Sequence, residues 1–374
     1  MDQRKPACKP ANPAQDEILA LGIETSCDET AVAVVRRYGD GRGAIISNVV
    51  RSQWQAHRPF GGVVPEIAAR AHLDCIRDIT CEALVSAGVD LEDIDLFAAT
   101  AGPGLIGGLI VGLTFAKMLA LAHGRPLVAV NHLEGHALTA GLTDQVTPPY
   151  LLLLVSGGHT QTLNVRAVGE YHRIGTTIDD ALGEAFDKTA KIFDLGFPGG
   201  PAVERAALTG DPARFPFPRP LKGRDDPHFS FAGLKTAVRR EAERHAPLDD
   251  ATIADLSASF EAAVCESVVD RVARAHRIAA KQTGGHLPIV IAGGVAANKR
   301  LRAAIEKLAR GLGVSAIFPP PALCTDNGAM IAWAGAERYA RGLTSEIAVA
   351  PRARWPLDGD APPLVGGGKH GPKA

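Results

Sequence analysis

His132 and His136 stand four residues apart in the segment NHLEGH. On a first helical turn this spacing puts both imidazoles on one face, within reach of a single metal ion. The order H-L-E-G-H does not place its glutamate where HExxH metalloproteases carry their general base, which argues against peptide hydrolysis. Two surface histidines on one helix face would produce the same pattern, and a metal needs a further, anionic ligand that the pair cannot identify. Asp326, in Thr325-Asp326-Asn327, is a carboxylate of the kind required, although its default role at the start of a helix is N-capping. The turn Thr25-Ser26-Cys27-Asp28-Glu29-Thr30 carries two adjacent carboxylates, Asp28 and Glu29. They could orient water, a cation or a reacting amine; Asp and Thr also favour turns for purely local reasons. Cys27 has no activating histidine beside it in sequence, so a thiolate nucleophile is not expected.

A second set of residues suits an anion. Ser156-Gly157-Gly158-His159-Thr160 is a small-residue turn whose amides could cradle a phosphate or a carbonyl oxygen. Taken alone it is an ordinary glycine hairpin. It gains weight from a likeness: Leu21–Val35 (LGIETSCDETAVAVV) and Leu152–Val165 (LLLVSGGHTQTLNV) both read as strand, tight turn, strand. Duplicated hairpins imply two related halves facing one cleft that holds a phosphate-bearing ligand. Asp187 lies in DALGEAFDKTAKIFD, where Leu182, Ala185, Phe186 and Phe193 mark a buried face. Its i,i+4 relation to Lys191 favours a surface ion pair over a carboxylate gripping a ribose or an amine. Gly199-Gly200-Pro201, and Gly293-Gly294 followed by Asn298, sit at element ends; the second could aim a helix N-terminus at a nucleotide, but without GxGxxG spacing or a P-loop lysine. Arg214, Arg219, Lys222, Arg224, Lys235, Arg239 and Arg240 interleave with Phe215, Phe217, Phe229 and Phe231. That mixture suits RNA contact and suits equally a solvated loop whose aromatics enter the core.

The elements that must position these residues alternate. Strands are expected near Leu96–Thr100, Leu127–Asn131, Pro288–Ala292 and Val314–Phe318. Helices are expected over Pro65–Ala87, Asp180–Asp194, about Asp250–Gln282, Ala297–Arg310 and Asp326–Arg341, with a looser Pro/Gly-rich stretch over Gly196–Lys235. This is an α/β fold, and 374 residues suffice for two lobes with real cores. The expected division is a disordered extension over 1–17, a first lobe over 18–147, a second over 148–350 with a helical and loop insertion at about 196–285, and a tail over 351–374. Leu105–Ala122 is long enough for a membrane span but follows a strand and a glycine turn, so a buried helix is expected and no membrane partner. The N-terminus has no apolar core for a signal peptide. Six scattered cysteines without CxxC spacing fit a reducing cytosol, and a formal net charge of -1 excludes a polycation: RNA contact must come from a local basic surface or a partner.

GIETSCDET, GGVVPE, TAGPGL, HLEGH, LLVSGGHTQ, DDALGEAFDKTAK, PGGP, FSFAGLKT, GGVAAN, CTDNGAMIA and RARWPLD occur in this order from about Leu19 to Leu357. The full ordered set resembles the tRNA N6-adenosine threonylcarbamoyltransferase family, TsaD in bacteria with Kae and Qri relatives, whose members once carried a glycoprotein endopeptidase label. The resemblance implies the ASKHA fold of actin-like ATPases and sugar kinases. It implies one divalent metal (iron, with zinc or magnesium as alternatives) held by His132, His136 and Asp326. It places the donor at Leu154, Val155, Ser156, Gly157 and Gly158, and the adenosine moiety at Asp187, Gly200, Glu204 and Asn298. The implied reaction moves threonylcarbamoyl from threonylcarbamoyl-AMP to N6 of adenosine 37 in tRNAs reading ANN codons, with release of AMP. Asp28 or Glu29 is the expected proton acceptor. TsaB-like and TsaE-like proteins are the implied partners. A metal-dependent endopeptidase, or an ASKHA ATPase acting as a regulatory nucleotide-binding module, is the competing expectation.

Overall fold

A computed structural model describes residues 17–60 and 62–362; the end of the tail and the expected N-terminal extension over 1–17 lie outside them, except that Glu17 is the first residue of a strand rather than of the extension. The chain divides into two compact units, each with one five-stranded sheet. In the first unit β1 (Glu17–Glu24), β2 (Glu29–Tyr38) and β3 (Gly43–Ser52) form an antiparallel meander. Helix α1 (Pro65–Ala87) follows, with proline at its first position and Gly88 left-handed at its end. Strand β4 (Leu96–Gly102), helix α2 (Ile106–His123), strand β5 (Leu127–Asn131) and helix α3 (His132–Asp144) complete the run. Strands β4 and β5 add in parallel to β1, giving the order β3-β2-β1-β4-β5. Every residue of β4 and β5 is buried, as expected for parallel strands covered on both faces.

The second unit repeats the scheme. β6 (Tyr150–Val155), β7 (Thr160–Ala167) and β8 (Glu170–Thr176) form the meander. Helices α4 (Leu182–Ile192), α5 (Gly199–Ala207), α6 (Ala232–Arg244) and α7 (Asp250–Thr283) come next, then β9 (Ile289–Ala292), α8 (Lys299–Leu312) and β10 (Ala316–Ile317). Strands β9 and β10 add in parallel to β6, so the order β8-β7-β6-β9-β10 matches the first sheet strand for strand. The duplicated hairpins are thus the leading strands of two equivalent sheets, and the ASKHA architecture holds.

Three expectations need correction. The stretch over 196–235 is not uniformly loose, because it contains α5 and the start of α6. The last helix, α9 (Gly328–Tyr339), belongs to the first unit, which takes back Thr325–Gly359. A stripe of small residues explains its seat: a Cβ on Gly22 would lie 2.2 Å from the Ala332 nitrogen, one on Gly328 2.6 Å from the Ala33 nitrogen, and one on Gly335 2.4 Å from the Ala98 Cβ. Backbone therefore meets backbone where α9 crosses β1 and β2, and meets the Ala98 Cβ where it crosses β4. Thirdly, the start of the tail is pinned. Arg352 donates its N–H to the Ala101 carbonyl at 2.7 Å, and its own carbonyl occupies the space a Cβ on Gly102 would need. Gly102 has φ +146°, so glycine is required there on two counts.

Helix α2 buries only one face. Leu109, Leu113, Ala116 and Ala120 pack inward, while Ile106, Ile110, Met118 and Leu121 are exposed. Among the described residues it alone is long and apolar enough to cross a membrane. In the second unit the core takes Phe215, Phe217, Phe229 and Phe231 together with Phe186 and Phe260.

Candidate metal centre and candidate nucleotide site

Strand β5 delivers the histidine pair. Its last residue, Asn131, turns the chain into α3 and caps it, its side-chain oxygen accepting the Leu133 N–H at 2.9 Å. Asn131 Nδ2 donates to the Trp355 carbonyl at 3.0 Å, so the pinned tail fixes the same corner. His132 is then the first helical residue and His136 lies one turn on, their rings nearly perpendicular with centroids 4.9 Å apart. Asp326 Oδ1 is 3.5 Å from His132 Nε2 and 3.4 Å from His136 Nε2. One ligand atom from each of the three residues fits within 4.8 Å of the others, a spread that one ion can bridge. Asp326 is not the cap of α9: Asn327 is, accepting the Met330 N–H at 2.9 Å, which leaves the Asp326 carboxylate to turn toward the imidazoles.

The surroundings are rich in carboxylates. Glu24 ends β1 wholly buried, with Oε2 3.0 Å from His132 Nδ1. Ser26 N–H donates to Glu24 Oε1 and the Thr100 hydroxyl donates to Oε2. Burial pulls the His132 imidazole down, but Asp326 and Glu24 outweigh it and lift it to about 9. Burial alone would raise the Glu24 carboxyl; His132 beside it holds it below the usual carboxylate value. Burial, with Asp326 and Asp28 close by, pushes Glu29 up to about 9. Burial and the same acids push the Cys27 thiol far up, so Cys27 is no nucleophile. Carboxylates that repel one another beside two imidazoles are a donor set that a cation would relieve.

The glutamate of HLEGH has a structural role. Glu134 is buried and accepts from Arg338 Nη1 through both oxygens at 3.1 Å. It is held by α9 in an ion pair, and this geometry, like the spacing, does not favour the endopeptidase expectation.

In the second unit the Ser156 turn joins β6 to β7. Ser156 N–H donates to the His159 carbonyl at 2.8 Å and His159 N–H to Ser156 Oγ at 3.1 Å, while Gly157 and Gly158 are exposed with open space where a Cβ would go. Leu154 and Val155 are fully buried strand residues, Leu154 lying between Gln161 and Ala292 on the two neighbouring strands, so of the five residues expected at the donor only the Ser156-Gly157-Gly158 turn reaches the surface. Helix α4 begins against the turn: a Cβ on Gly183 would lie 2.7 Å from the Ser156 carbonyl oxygen.

Helix α5 links the other four residues. Asp187 does not pair with Lys191; its Oδ1 accepts the Gly199 N–H at 2.9 Å at the start of α5, while Glu184 takes Lys188 at 2.8 Å. Burial raises the Asp187 carboxyl. Gly200 faces open space. Glu204, one turn further, accepts the Lys299 N–H at 2.8 Å, and Asn298 accepts the Leu301 N–H at 2.9 Å, so both cap α8. Asn298 Nδ2 donates to the buried Glu261 at 2.7 Å. Glu261 and Glu24 escaped sequence reasoning: Glu261 lies in a helical run with no motif to mark it, and Glu24, although inside GIETSCDET, reads locally as a strand-end residue beside the two turn carboxylates.

The basic segment resolves largely into ion pairs. Arg214 binds Asp255, Arg219 and Lys222 bind Glu266, and Lys235 binds Asp180, at 2.7 to 2.9 Å. The four phenylalanines are core residues rather than stacking platforms. Arg239 and Arg240 remain exposed on α6.

Comparison with known proteins agrees with this arrangement. The solved structure of HypF from T. kodakarensis is similar at a TM-score of 0.58 and 14% identity, covering 89% of this chain and 48% of that one, which speaks to the fold alone. The tRNA N6-adenosine threonylcarbamoyltransferase of Brucella anthropi is 60% identical across 95% of this chain and 99% of its own length. Those of Afipia carboxidovorans, at 61% across 91% and 96%, and Sinorhizobium medicae, at 60% across 95% and 99%, carry the same name. The TsaD family profile, tRNA N6-adenosine threonylcarbamoyltransferase, matches residues 44–333, and the chain belongs to that family.

Proposed function

We propose that this chain transfers the threonylcarbamoyl group from threonylcarbamoyl-AMP to N6 of adenosine 37 in tRNAs reading ANN codons. The N6 nitrogen bonds to the carbamoyl carbon, the bond from that carbon to the AMP oxygen breaks, AMP leaves, and the amine's proton passes to a carboxylate. His132, His136 and Asp326 would hold one divalent ion. Two imidazoles with one carboxylate suit iron or zinc better than magnesium, and the bound ion would polarise the carbamoyl carbonyl or anchor the donor. The observation that carries the proposal is the gathering of three ligand atoms within 4.8 Å in a chain 60% identical to named transferases.

Burial and its acidic neighbours push Glu29 up to about 9 in the metal-free protein, and a cation bound at Asp326 would draw it back down. Asp28 or Glu29 would accept the proton. The open amides of Gly157 and Gly158 are suited to developing negative charge. Asp187 commits Oδ1 to Gly199, which leaves Oδ2 for a ribose hydroxyl beside the open space at Gly200. Glu204 and Asn298 support this pocket by fixing the start of α8. The exposed apolar face of α2 is suited to a TsaB-like partner, and a TsaE-like ATPase completes the set. Exposed Arg239 and Arg240 are suited to tRNA phosphates. The five described cysteines are all free, in keeping with a reducing cytosol.

The test is reconstitution of the purified chain, with its partners, on threonylcarbamoyl-AMP and unmodified tRNA, followed by nucleoside mass spectrometry. Threonylcarbamoyl-adenosine should form, and His132→Ala and Asp326→Asn should abolish it. Full turnover by both variants would refute the proposal.

A further inference from the structure

We infer that Glu24 is a positioning residue that sets the tautomer and aim of His132. This rests on the metal site proposed above and goes beyond it. Glu24 sits at the end of the central strand β1, wholly buried, where an unpaired carboxylate would be costly. Three donors converge on it. Ser26 N–H takes Oε1, and the Thr100 hydroxyl and His132 Nδ1 share Oε2, the latter at 3.0 Å. A carboxylate only accepts, so His132 must present N–H at Nδ1, and the proton lost when the ring becomes neutral to bind a metal is the one on Nε2, which then carries the lone pair. That same Nε2 is the nitrogen facing Asp326 at 3.5 Å. Ser26 Oγ, 3.2 Å from Nδ1, supports the same ring orientation.

The second imidazole makes the contrast. His136 Nδ1 is buried without a hydrogen-bond partner among the described residues. Only one of the two histidines is therefore locked by a carboxylate, and Glu24 carries the orientation of the pair. Partners of this kind are usually worth 10- to 100-fold in metal affinity. Replacing Glu24 with glutamine keeps the volume but offers Nδ1 an amide in place of a full acceptor. Either the Ser26 N–H or the His132 N–H then faces another donor, and the favoured relief is to move the histidine proton to Nε2, blocking the ligand atom.

The test is Zn2+ titration of the metal-free full-length chain against a chromophoric chelator. Wild type should bind one equivalent, and Glu24→Gln should bind at least tenfold more weakly while its far-UV circular dichroism is unchanged. Equal affinity, within twofold, would overturn the role of Glu24 and leave the metal site standing; absence of Zn2+ binding by wild type would instead overturn the metal site. Should Glu24→Gln not fold, 15N-histidine NMR of the zinc-loaded wild type decides, with the His132 resonances identified by their loss in His132→Ala. A proton on His132 Nδ1 supports the inference, and a proton on Nε2 refutes it.

Discussion

Glu134 separates two chemistries that this chain has been expected to perform, and its ion pair can be dismantled in graded steps. The Glu134 side chain is 2% exposed, whereas that of Arg338 is 23% exposed. Removing Arg338 takes the guanidinium from a carboxylate with almost no access to water; removing Glu134 takes the carboxylate from a guanidinium that still reaches solvent. Breaking a buried pair from the less forgiving side costs about 3–5 kcal/mol. Losing charge-assisted hydrogen bonds to a partly solvated partner costs about 1.5–3 kcal/mol. Arg338→Met should therefore destabilise more than Glu134→Gln, and Glu134→Leu combined with Arg338→Met should recover part of the loss. At about 2–4 °C per kcal/mol for a unit of 150–250 residues, calorimetry resolves all three. Each folded variant should keep Zn2+ binding and transferase turnover per folded molecule. A Glu134→Gln protein as stable as wild type yet inactive would show that the carboxylate reacts with substrate, and the structural reading of HLEGH would be wrong.

Three further outcomes are expected. Glu29 moves from an ordinary 4.5, and His132 from 6.5, to about 9 on folding; below pH 9 the folded metal-free protein thus binds protons that the unfolded chain has released. Its stability should fall as pH rises toward 9, by up to about 1.4 kcal/mol per pH unit for each proton, and denaturant melts at pH 6, 7.5 and 9 would show it; metal affinity should change in the opposite sense, because His132 must lose its proton to ligate. Gly22→Ala would drive a Cβ to 2.2 Å from the Ala332 nitrogen and push α9 off the sheet, so soluble expression should collapse; an alanine variant with wild-type melting would contradict the backbone-on-backbone packing. Asn298→Ala removes the α8 cap, worth about 0.5–2 kcal/mol, and strips the buried Glu261 of its donor; it should lower the melting temperature and weaken AMP binding measured by calorimetry.

The duplicated hairpins were legible because strand patterning is local: two apolar runs around a small-residue turn can fold in few other ways. Helix α1 was legible for the same reason, since Pro65 and Gly88 bracket it. Spacing also placed His132 and His136 on one face. The seat of α9 was not legible. It depends on Gly22, Gly328 and Gly335 meeting the backbone and side chains of elements far along the chain, a tertiary match with no local signature. Asp326 read as a cap because Asp and Asn cap helices equally well, and only the structure assigns that work to Asn327. Asp187 misled similarly: helical spacing offered Lys191, whereas folding brought the Gly199 N–H instead. Glu24 was invisible because a buried strand residue acquires meaning only from Thr100 and His132, 76 and 108 residues away. Local periodicity thus determined the elements, and long-range hydrogen bonding determined the chemistry.

The most direct test of the account is X-ray absorption at the metal edge of the zinc- or iron-reconstituted full-length protein. One ion is expected, with a first shell of nitrogen and oxygen only, including the scattering of two imidazole rings, and with loss of one imidazole contribution in His136→Ala. A sulfur ligand from Cys27, or a shell without imidazole, would contradict it.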